Sequence, residues 1–454
     1  VFGSELEGAA RVEMLRRIEA RPHAYVAQEI VNLSQSPTWS RSHERRLLAR
    51  GTGLRVYAVA TANGYAVMPG GLARVASAAN ARVISMQRGG SSKDAWVLTD
   101  GQVSEFSLLK PSLSVGDLVR AGANLSSRVV ENLFWLGRYS ERFDATARLL
   151  RVAIARVVEA AGEATPAQQA VIELAEGLHV LESLDDDDDD RAMPNDQRLL
   201  RAVYDPDCPG SLAGSIRHLM WSATHVRERL SLDHWHSLNK LQRDLQAAQK
   251  RQPSLPEAVA FIDRVLMASS SLTGFAMDNM TRDDGWRFLI AGRRLERLDF
   301  LASAIGSFLR LPSARTAGAL EWLLELTDSI ITYRSRYSRP PELLPVIDLI
   351  VFDDSNPHAV VFQMGAIQRY LDRMGKDLGD MPENLLVEAL GRLRGVDLER
   401  FAGLDFGECR VCSPCADLAE RLSGVVRAVH DLSDKLGMRF FTHVGDVSRQ
   451  TLAV

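Results

Sequence analysis

Along the first hundred residues the apolar positions change rhythm, from a helical period to a strand-like one. Residues 5–19 carry their apolar positions and Arg/Glu content in the manner of one helix, and residues 24–30 (Ala24-Tyr25-Val26-Ala27-Gln28-Glu29-Ile30) read as a buried strand. Strand-type runs follow at 54–60, at 65–68 after the turn signal Asn63-Gly64, at 81–86 and at 95–98, each bounded by Gly, Asn or Asp. This pattern predicts a small mixed sheet with one helix. Periodicity is lost between 101 and 123, where Pro111 and several glycines predict a linker. Beyond Ser126 helix-period segments follow one another to the end of the chain, separated by short Pro, Gly and Asp breaks, which predicts an all-α domain.

A search for self-similarity within the helical part returns one pair. Leu136-Gly137-Arg138-Tyr139-Ser140-Glu141-Arg142-Phe143-Asp144 recurs as Ala291-Gly292-Arg293-Arg294-Leu295-Glu296-Arg297-Leu298-Asp299, with Gly, Arg, Glu, Arg and Asp in register. At about 100° per residue, Arg138, Glu141 and Arg142 share one helix face, and so do Arg293, Glu296 and Arg297. Phe134, Ala145 and Leu149 extend that face in the first copy, while Leu289, Phe300 and Ala304 extend it in the second. The opposite side of the first copy is apolar as well, through Val129, Leu133, Leu136, Phe143, Ala147 and Leu150. Each motif helix is therefore expected to be buried on both sides with a charged triplet between. Buried charges persist only when paired and hydrogen-bonded. Two readings follow: an internal ion-pair network locking two equivalent helices, or an anion pocket whose guanidinium groups grip a carboxylate or phosphate. The glycine before each arginine is expected to permit close helix approach.

Composition narrows the class without choosing between these readings. The 454 residues are 46% hydrophobic and 25% charged with a net charge of -4, a globular balance with no global pull toward nucleic acid or an acidic membrane surface. No run suggests a spanning helix or a signal peptide, and four cysteines are too few for a disulfide framework, so a cytoplasmic protein is expected. The chain starts at Val1, and Phe2-Gly3 has the look of the end of a Gly-containing turn, so the natural N-terminus is expected upstream. The acidic run 185–190 reads as a solvated loop. Cys409, Cys412 and Cys415 have a spacing that could begin a metal site, but no nearby fourth ligand completes it, and free thiols are expected. Trp322, Asp328, Tyr333, Arg334, Arg336 and Tyr337 are assigned to one helix ending near Ser338-Arg339-Pro340-Pro341, and Arg227-Glu228-Arg229 with Trp235 forms a charged-aromatic patch.

Two stretches carry a resemblance. Tyr25-Val26-Ala27-Gln28-Glu29, Leu54-Arg55-Val56, Met68-Pro69-Gly70-Gly71-Leu72-Ala73-Arg74-Val75 and Gln87-Arg88-Gly89-Gly90-Ser91-Ser92-Lys93-Asp94-Ala95-Trp96-Val97-Leu98 resemble the carboxy-terminal part of a circularly permuted ATP-grasp domain. Ser127-Arg128-Val129-Val130-Glu131-Asn132-Leu133-Phe134-Trp135-Leu136-Gly137-Arg138-Tyr139 resembles the opening of an alpha-E domain. The resemblance implies a mainly α protein: a small α+β ATP-grasp remnant at 1–108, a linker at 109–125 and a large alpha-E helical bundle at 126–454. ATP-grasp enzymes phosphorylate a carboxylate with ATP and let an amine attack the acyl phosphate, with cations and Mg²⁺ on the phosphates. The resemblance places Gln28 and Glu29 against adenine and makes Arg55, Arg74 and Lys93 the phosphate or carboxylate contacts. The family's metal-binding acidic segment would precede Val1, so ATP and Mg²⁺ are expected in the full-length protein and not on this chain alone. The resemblance implies a carboxylate-amine (peptide) ligase or modification system, with a peptide or amino-acid substrate and a transglutaminase-like protease as partner, while charge and hydropathy lead to the expectation of neither nucleic acid nor membrane as partner. The alternative is a non-catalytic helical scaffold that binds partner proteins. The candidate anion or ion-pair set is Arg138, Glu141, Arg142, Arg293, Glu296, Arg297, Asp328, Tyr333 and Arg334, and no catalytic residue is assigned.

Overall fold

The computed structural model describes residues 6–30, 32–39, 46–61, 64–78, 84, 90–102, 115, 118, 126–160, 165–182, 193–251, 253–378, 386–407 and 412–441. The chain divides into two compact units, Val1–Asp117 and Leu118–Val454. The predicted strand at 81–86 (apart from Ile84), the acidic run, Cys409 and most of the predicted linker lie outside the described residues.

In the first unit, α1 (Gly8–Ala20) is followed by β1 (Gln35–Trp39), β2 (Leu47–Arg55), β3 (Ala58–Thr61), β4 (Gly64–Val67), β5 (Gly71–Val75) and β6 (Ser91–Ala95). Strands β1-β2-β5-β6 form one antiparallel sheet, and β3-β4 is a separate hairpin. The predicted strand at 24–30 is not formed. Pro22 starts a 3₁₀ turn, the following residues find no ladder partner among the described strands, and Val26 is 95% exposed. A β-type composition makes a strand only where another edge receives it. The run predicted at 54–60 splits, because Arg55 ends the β2 pairing with β5 while Ala58 starts the hairpin. The strand expected at 95–98 lies earlier, at Ser91–Ala95, and Trp96 and Leu98 point to solvent. Pro37 sits in β1, at an edge where its missing N–H costs no central ladder bond. Gly71 lets β5 lie against β2, since a Cβ there would strike the Arg55 carbonyl oxygen.

The second unit is helical: α2 (Ser127–Glu159), α3 (Pro166–Gly177), α4 (Asn195–Tyr204), α5 (Leu212–His225), α6 (Leu232–Gln249), α7 (Leu255–Asp278), α8 (Asp284–Arg310), α9 (Ala319–Leu326), α10 (Ile330–Tyr337), α11 (Leu343–Ile347), α12 (Val360–Leu378), α13 (Leu386–Arg394) and α14 (Ser413–Phe440). Helices α2 and α8 form the axis, with α5 and α7 packed on α2, and α12 and α14 packed on α8. Both start at side-chain caps: the Ser126 hydroxyl accepts from Val129 N at 3.4 Å, and the Asp283 carboxylate accepts from Trp286 N at 3.0 Å. By length and composition α7 could cross a membrane, which the sequence reading did not register. Here its Phe261, Ile262, Val265 and Leu272 are buried in the helical core.

The single helix predicted from Trp322 to Tyr337 is two helices. Asp328 between them takes the left-handed conformation (φ 53°), and the Thr327 hydroxyl donates to the Leu323 carbonyl at 2.9 Å. These features end α9 and turn the chain into α10.

Candidate functional site: crossed motif helices

The two copies of the repeated motif meet each other. A Cβ built on Gly137 would collide with the Leu289 carbonyl oxygen, and one built on Gly292 would collide with the Phe134 carbonyl oxygen. Each glycine thus faces the residue three positions before the other glycine, so α2 and α8 touch backbone to backbone about a local pseudo-two-fold axis. Contacts advance along both helices together, from Phe134 against Gly292 to Glu141 against Arg297, which means the helices run in the same direction past this point.

That approach brings each glutamate to the other helix's arginines. Glu141 receives a fork from Arg297, Nε to Oε2 at 2.8 Å and Nη2 to Oε1 at 2.9 Å, together with Arg293 Nε at 3.0 Å. Glu296 is held by Arg138 Nε at 2.5 Å and by Arg142 Nε. Arg293 also donates to the Thr273 hydroxyl at 2.9 Å. Glu141, Glu296 and Arg138 are buried. Burial alone would raise the Glu141 pKa, but the Arg297 and Arg293 charges and hydrogen bonds outweigh it and hold the carboxyl at about 2. Burial likewise opposes the charges on Arg142 and Arg297, and the facing glutamates reverse this, holding both guanidiniums above their ordinary range. The two halves differ in quality. The Glu141 half has aligned bidentate bonds, whereas Arg138 Nε and Nη1 and Glu296 Oε2 are buried and in charge contact without an aligned hydrogen bond. Arg142 is the most open of the four guanidiniums, its side chain 40% exposed on a cleft of roughly 550 Å³.

Residues 125–441 match Alpha-E, described as a predicted alpha-helical domain with a conserved ER motif. This chain belongs to the Alpha-E family. Two Glu-Arg pairs, Glu141-Arg142 and Glu296-Arg297, lie at the centre of the crossed network, and in each the Glu and the Arg bond to the other helix. Residues 1–76 match circularly permuted ATP-grasp type 2. The chain is 31% identical over 455 residues to the uncharacterized protein Rv2567 of Mycobacterium tuberculosis and equally to Mb2597 of Mycobacterium bovis, covering 96% of this chain and 50% of each relative. It therefore spans about half the length of these curated relatives. It is also 40% identical over 98 residues to the uncharacterized protein Rv2411c of Mycobacterium tuberculosis, covering 22% of this chain and 17% of that protein. No solved structure matches.

Within the Alpha-E domain, the aspartate that closes each motif copy carries the network outward, by different routes. Asp144 accepts from Arg148 Nε at 2.8 Å, Arg148 reaches Asp328 at 3.2 Å, and His358 Nε2 lies 3.6 Å from Asp328. Asp299 instead meets His430 of α14 at 3.2 Å, and burial raises its pKa. Asp328 thus joins the network, while the other two residues assigned with it do not. Tyr333 is fully buried, donates to the Pro340 carbonyl at 3.2 Å and accepts from Glu342 N at 3.0 Å, and Arg334 makes a surface pair with Glu321. Sequence reasoning missed Thr273, His358 and His430 because each comes from a distant segment: α7, the turn before α12, and α14. Arg148 was visible as the i+4 partner of Asp144.

His234 of α6 is buried beside this network, and its Nδ1 has no partner among the described residues. Desolvation, then the Arg293 charge, lowers its pKa to about 4. The folded domain therefore holds His234 neutral while the unfolded chain protonates it near its ordinary value of about 6.5. Its contribution to stability is complete above pH 6.5 and is lost as pH falls from there to about 4. Urea titrations across that window are expected to show a falling unfolding free energy in the wild-type domain and a flatter profile in His234→Phe. Equal slopes would show that the imidazole is not held neutral.

The first unit does not bring its assigned residues together. Gln28 and Glu29 lie in exposed, irregular chain. The register pairs Arg55 with Leu72 and Arg74 with Gly53, which puts the two arginines on one face of the sheet. Lys93 pairs with Ala73 and so lies on the other face, where its ammonium donates to the Ser36 hydroxyl at 3.4 Å and to the Pro37 carbonyl. A β6 lysine reaching β1 means that the sheet curls strongly. Among the described residues no group of three His, Cys, Asp or Glu side chains is placed to hold a metal. Cys412 and Cys415 are buried thiols at the start of α14, and burial, then Cys412, pushes the Cys415 thiol up to about 12.

Proposed function

We propose that the chain works as part of an ATP-dependent carboxylate-amine ligase, with the Alpha-E domain as its accessory, substrate-handling module. The observation that carries this reading is the match of residues 1–76 to a circularly permuted ATP-grasp in the same polypeptide as Alpha-E. Gln28 and Glu29 lie in irregular chain while Lys93 lies on the sheet face opposite Arg55 and Arg74, so Mg-ATP use is assigned to the full-length protein. A second reading, that the helical domain is a scaffold, draws support from the crossed ion pairs. Four guanidinium groups are engaged by two internal carboxylates, which favours a motif that locks helices over one that performs chemistry. Peptides or amino acids are proposed as substrates, a transglutaminase-like protease as partner and the cytoplasm as location.

The test uses a protein of the relatives' full length. Supplied with Mg-ATP, mixed amino acids and short peptides, it is expected to release ADP only when a carboxylate is present, and hydroxylamine is expected to trap the acyl phosphate as a hydroxamate. ADP release indifferent to carboxylate, or none, would overturn the ligase reading. Calorimetric titration of Mg-ATP is expected to give heat with the full-length protein and none with the present chain.

A further inference from the structure

The cleft beside the motif lies between α2, the end of α3, α8 and α14, wholly within the helical unit. At roughly 550 Å³ it has the size of a small-molecule site. Its lining is mainly apolar, with Ala145, Leu178, Phe300 and Val426 among the walls. Its cations sit at two levels, Arg142 beside Glu296 and Arg310 with Arg427 beside Glu420, with about 20 Å of α8 between Glu296 and Arg310. Arg142 commits only Nε to Glu296, leaving its Nη edge without a protein partner among the described residues. Arg310 and Arg427 share a single carboxylate, Glu420, each at 3.3 Å, and Arg310 also donates to the Ser423 hydroxyl at 2.9 Å.

Charge bookkeeping fixes the sign and size of what would complete the site. Glu296 is already balanced by the buried Arg138, and Asp299, whose pKa burial raises, lies 3.2 Å from His430. At the other end Arg310 and Arg427 share Glu420 alone, so each end of the cleft carries a surplus of at most one positive charge beside an apolar wall. A dianion would need a larger surplus, and an apolar ligand would leave the Arg142 edge unused. We propose that this cleft binds a small amphipathic carboxylate, an apolar body that lies against the cleft wall and ends in one carboxylate received by the free edge of Arg142. This is a binding assignment for the helical unit and does not rest on the ligase reading.

Calorimetric titration of this chain with N-acetyl-phenylalanine, its C-terminal amide and phenyl phosphate tests the proposal. The free carboxylate is expected to bind at least about tenfold more tightly than the amide, a difference of about 1.4 kcal/mol. Phenyl phosphate is expected to bind no better than the carboxylate. Arg142→Gln is expected to remove the carboxylate preference. Because Arg142 also pairs with Glu296, Arg142→Lys is the second variant: it keeps a cation for that glutamate without a second edge, and is expected to lose the carboxylate preference with an unchanged circular-dichroism melt. Equal binding of acid and amide, tighter binding of phenyl phosphate, binding unaffected by both variants, or no heat with any ligand would each overturn it.

Discussion

Glu141→Ala is expected to destabilise the helical domain by about 3–5 kcal/mol, because it leaves the part-buried Arg293 and Arg297 against each other with no carboxylate between them. The cost reflects stranded charge more than the intrinsic value of the pair. Glu141→Ala combined with Arg297→Ala is therefore expected to cost clearly less than the two single changes added together. Urea unfolding of the four proteins in that cycle measures the coupling, and strict additivity would show that the fork contributes nothing. The pH dependence supplies a second readout. Glu141 is held at about 2 in the fold against an ordinary value near 4.5. Its contribution is thus fully present above pH 4.5 and is lost as pH falls from there through about 2, a loss of about 3 kcal/mol at 1.36 kcal/mol per unit. Glu141→Gln is expected to lack that acid limb. The window lies mainly below the one in which His234 acts, so the two contributions separate on one curve.

The motif was legible in the sequence because a helix of known period fixes which side chains share a face. Its partners were not. A triplet Arg138, Glu141, Arg142 has the spacing of an intrahelical i,i+3 and i,i+4 network, and nothing along one helix says that its glutamate will bond two arginines of another. The repeat hinted at it, since two equal helices with equal charged faces are complementary only when crossed. The outward branches depend on tertiary placement alone: Asp144 and Asp299 are equivalent in the motif, yet one meets Arg148 and Asp328 while the other meets His430. In the first unit the misread segments have a common cause. Residues 24–30 and 96–98 have strand composition without a partner edge among the described strands, whereas Gln35–Trp39, with a proline inside it, has a partner in β2. Pairing decides β structure more than propensity does.

A closed network beside an open cleft also changes how the motif is to be understood. Arg138, Arg293 and Arg297 are positioned by their glutamates and have little freedom to take a ligand, while Arg142 is both a member of the lock and a wall of the cleft. Locking the helices and presenting one guanidinium edge are then one arrangement: Glu296 holds Arg142 by Nε and leaves its other edge turned outward. A change that loosens the helix crossing should disturb both.

Gly137→Ala is the sharpest such change. The added methyl would overlap the Leu289 carbonyl oxygen and crowd Arg293 N, both backbone atoms of the facing helix, so no side chain can move aside to admit it. Helices α2 and α8 would have to separate across the centre of the core, opening voids and stretching the crossed ion pairs. The expected loss is above about 4 kcal/mol, in the range that signals a specific steric cause. Gly292→Ala meets the Phe134 carbonyl oxygen in the same way and should cost a similar amount. Once one methyl has separated the helices, the second finds its clash partly relieved, so the double variant is expected to fall well short of the sum. Gly274, inside α7 with nothing near its absent Cβ, provides the internal control. Gly274→Ala is expected to gain about 0.5–1 kcal/mol from helix propensity alone. Thermal and urea unfolding of the four variants decides the matter. A Gly137→Ala protein within about 1 kcal/mol of wild type would mean that the helices do not touch at the motif glycines, and the crossed network would lose its geometric basis.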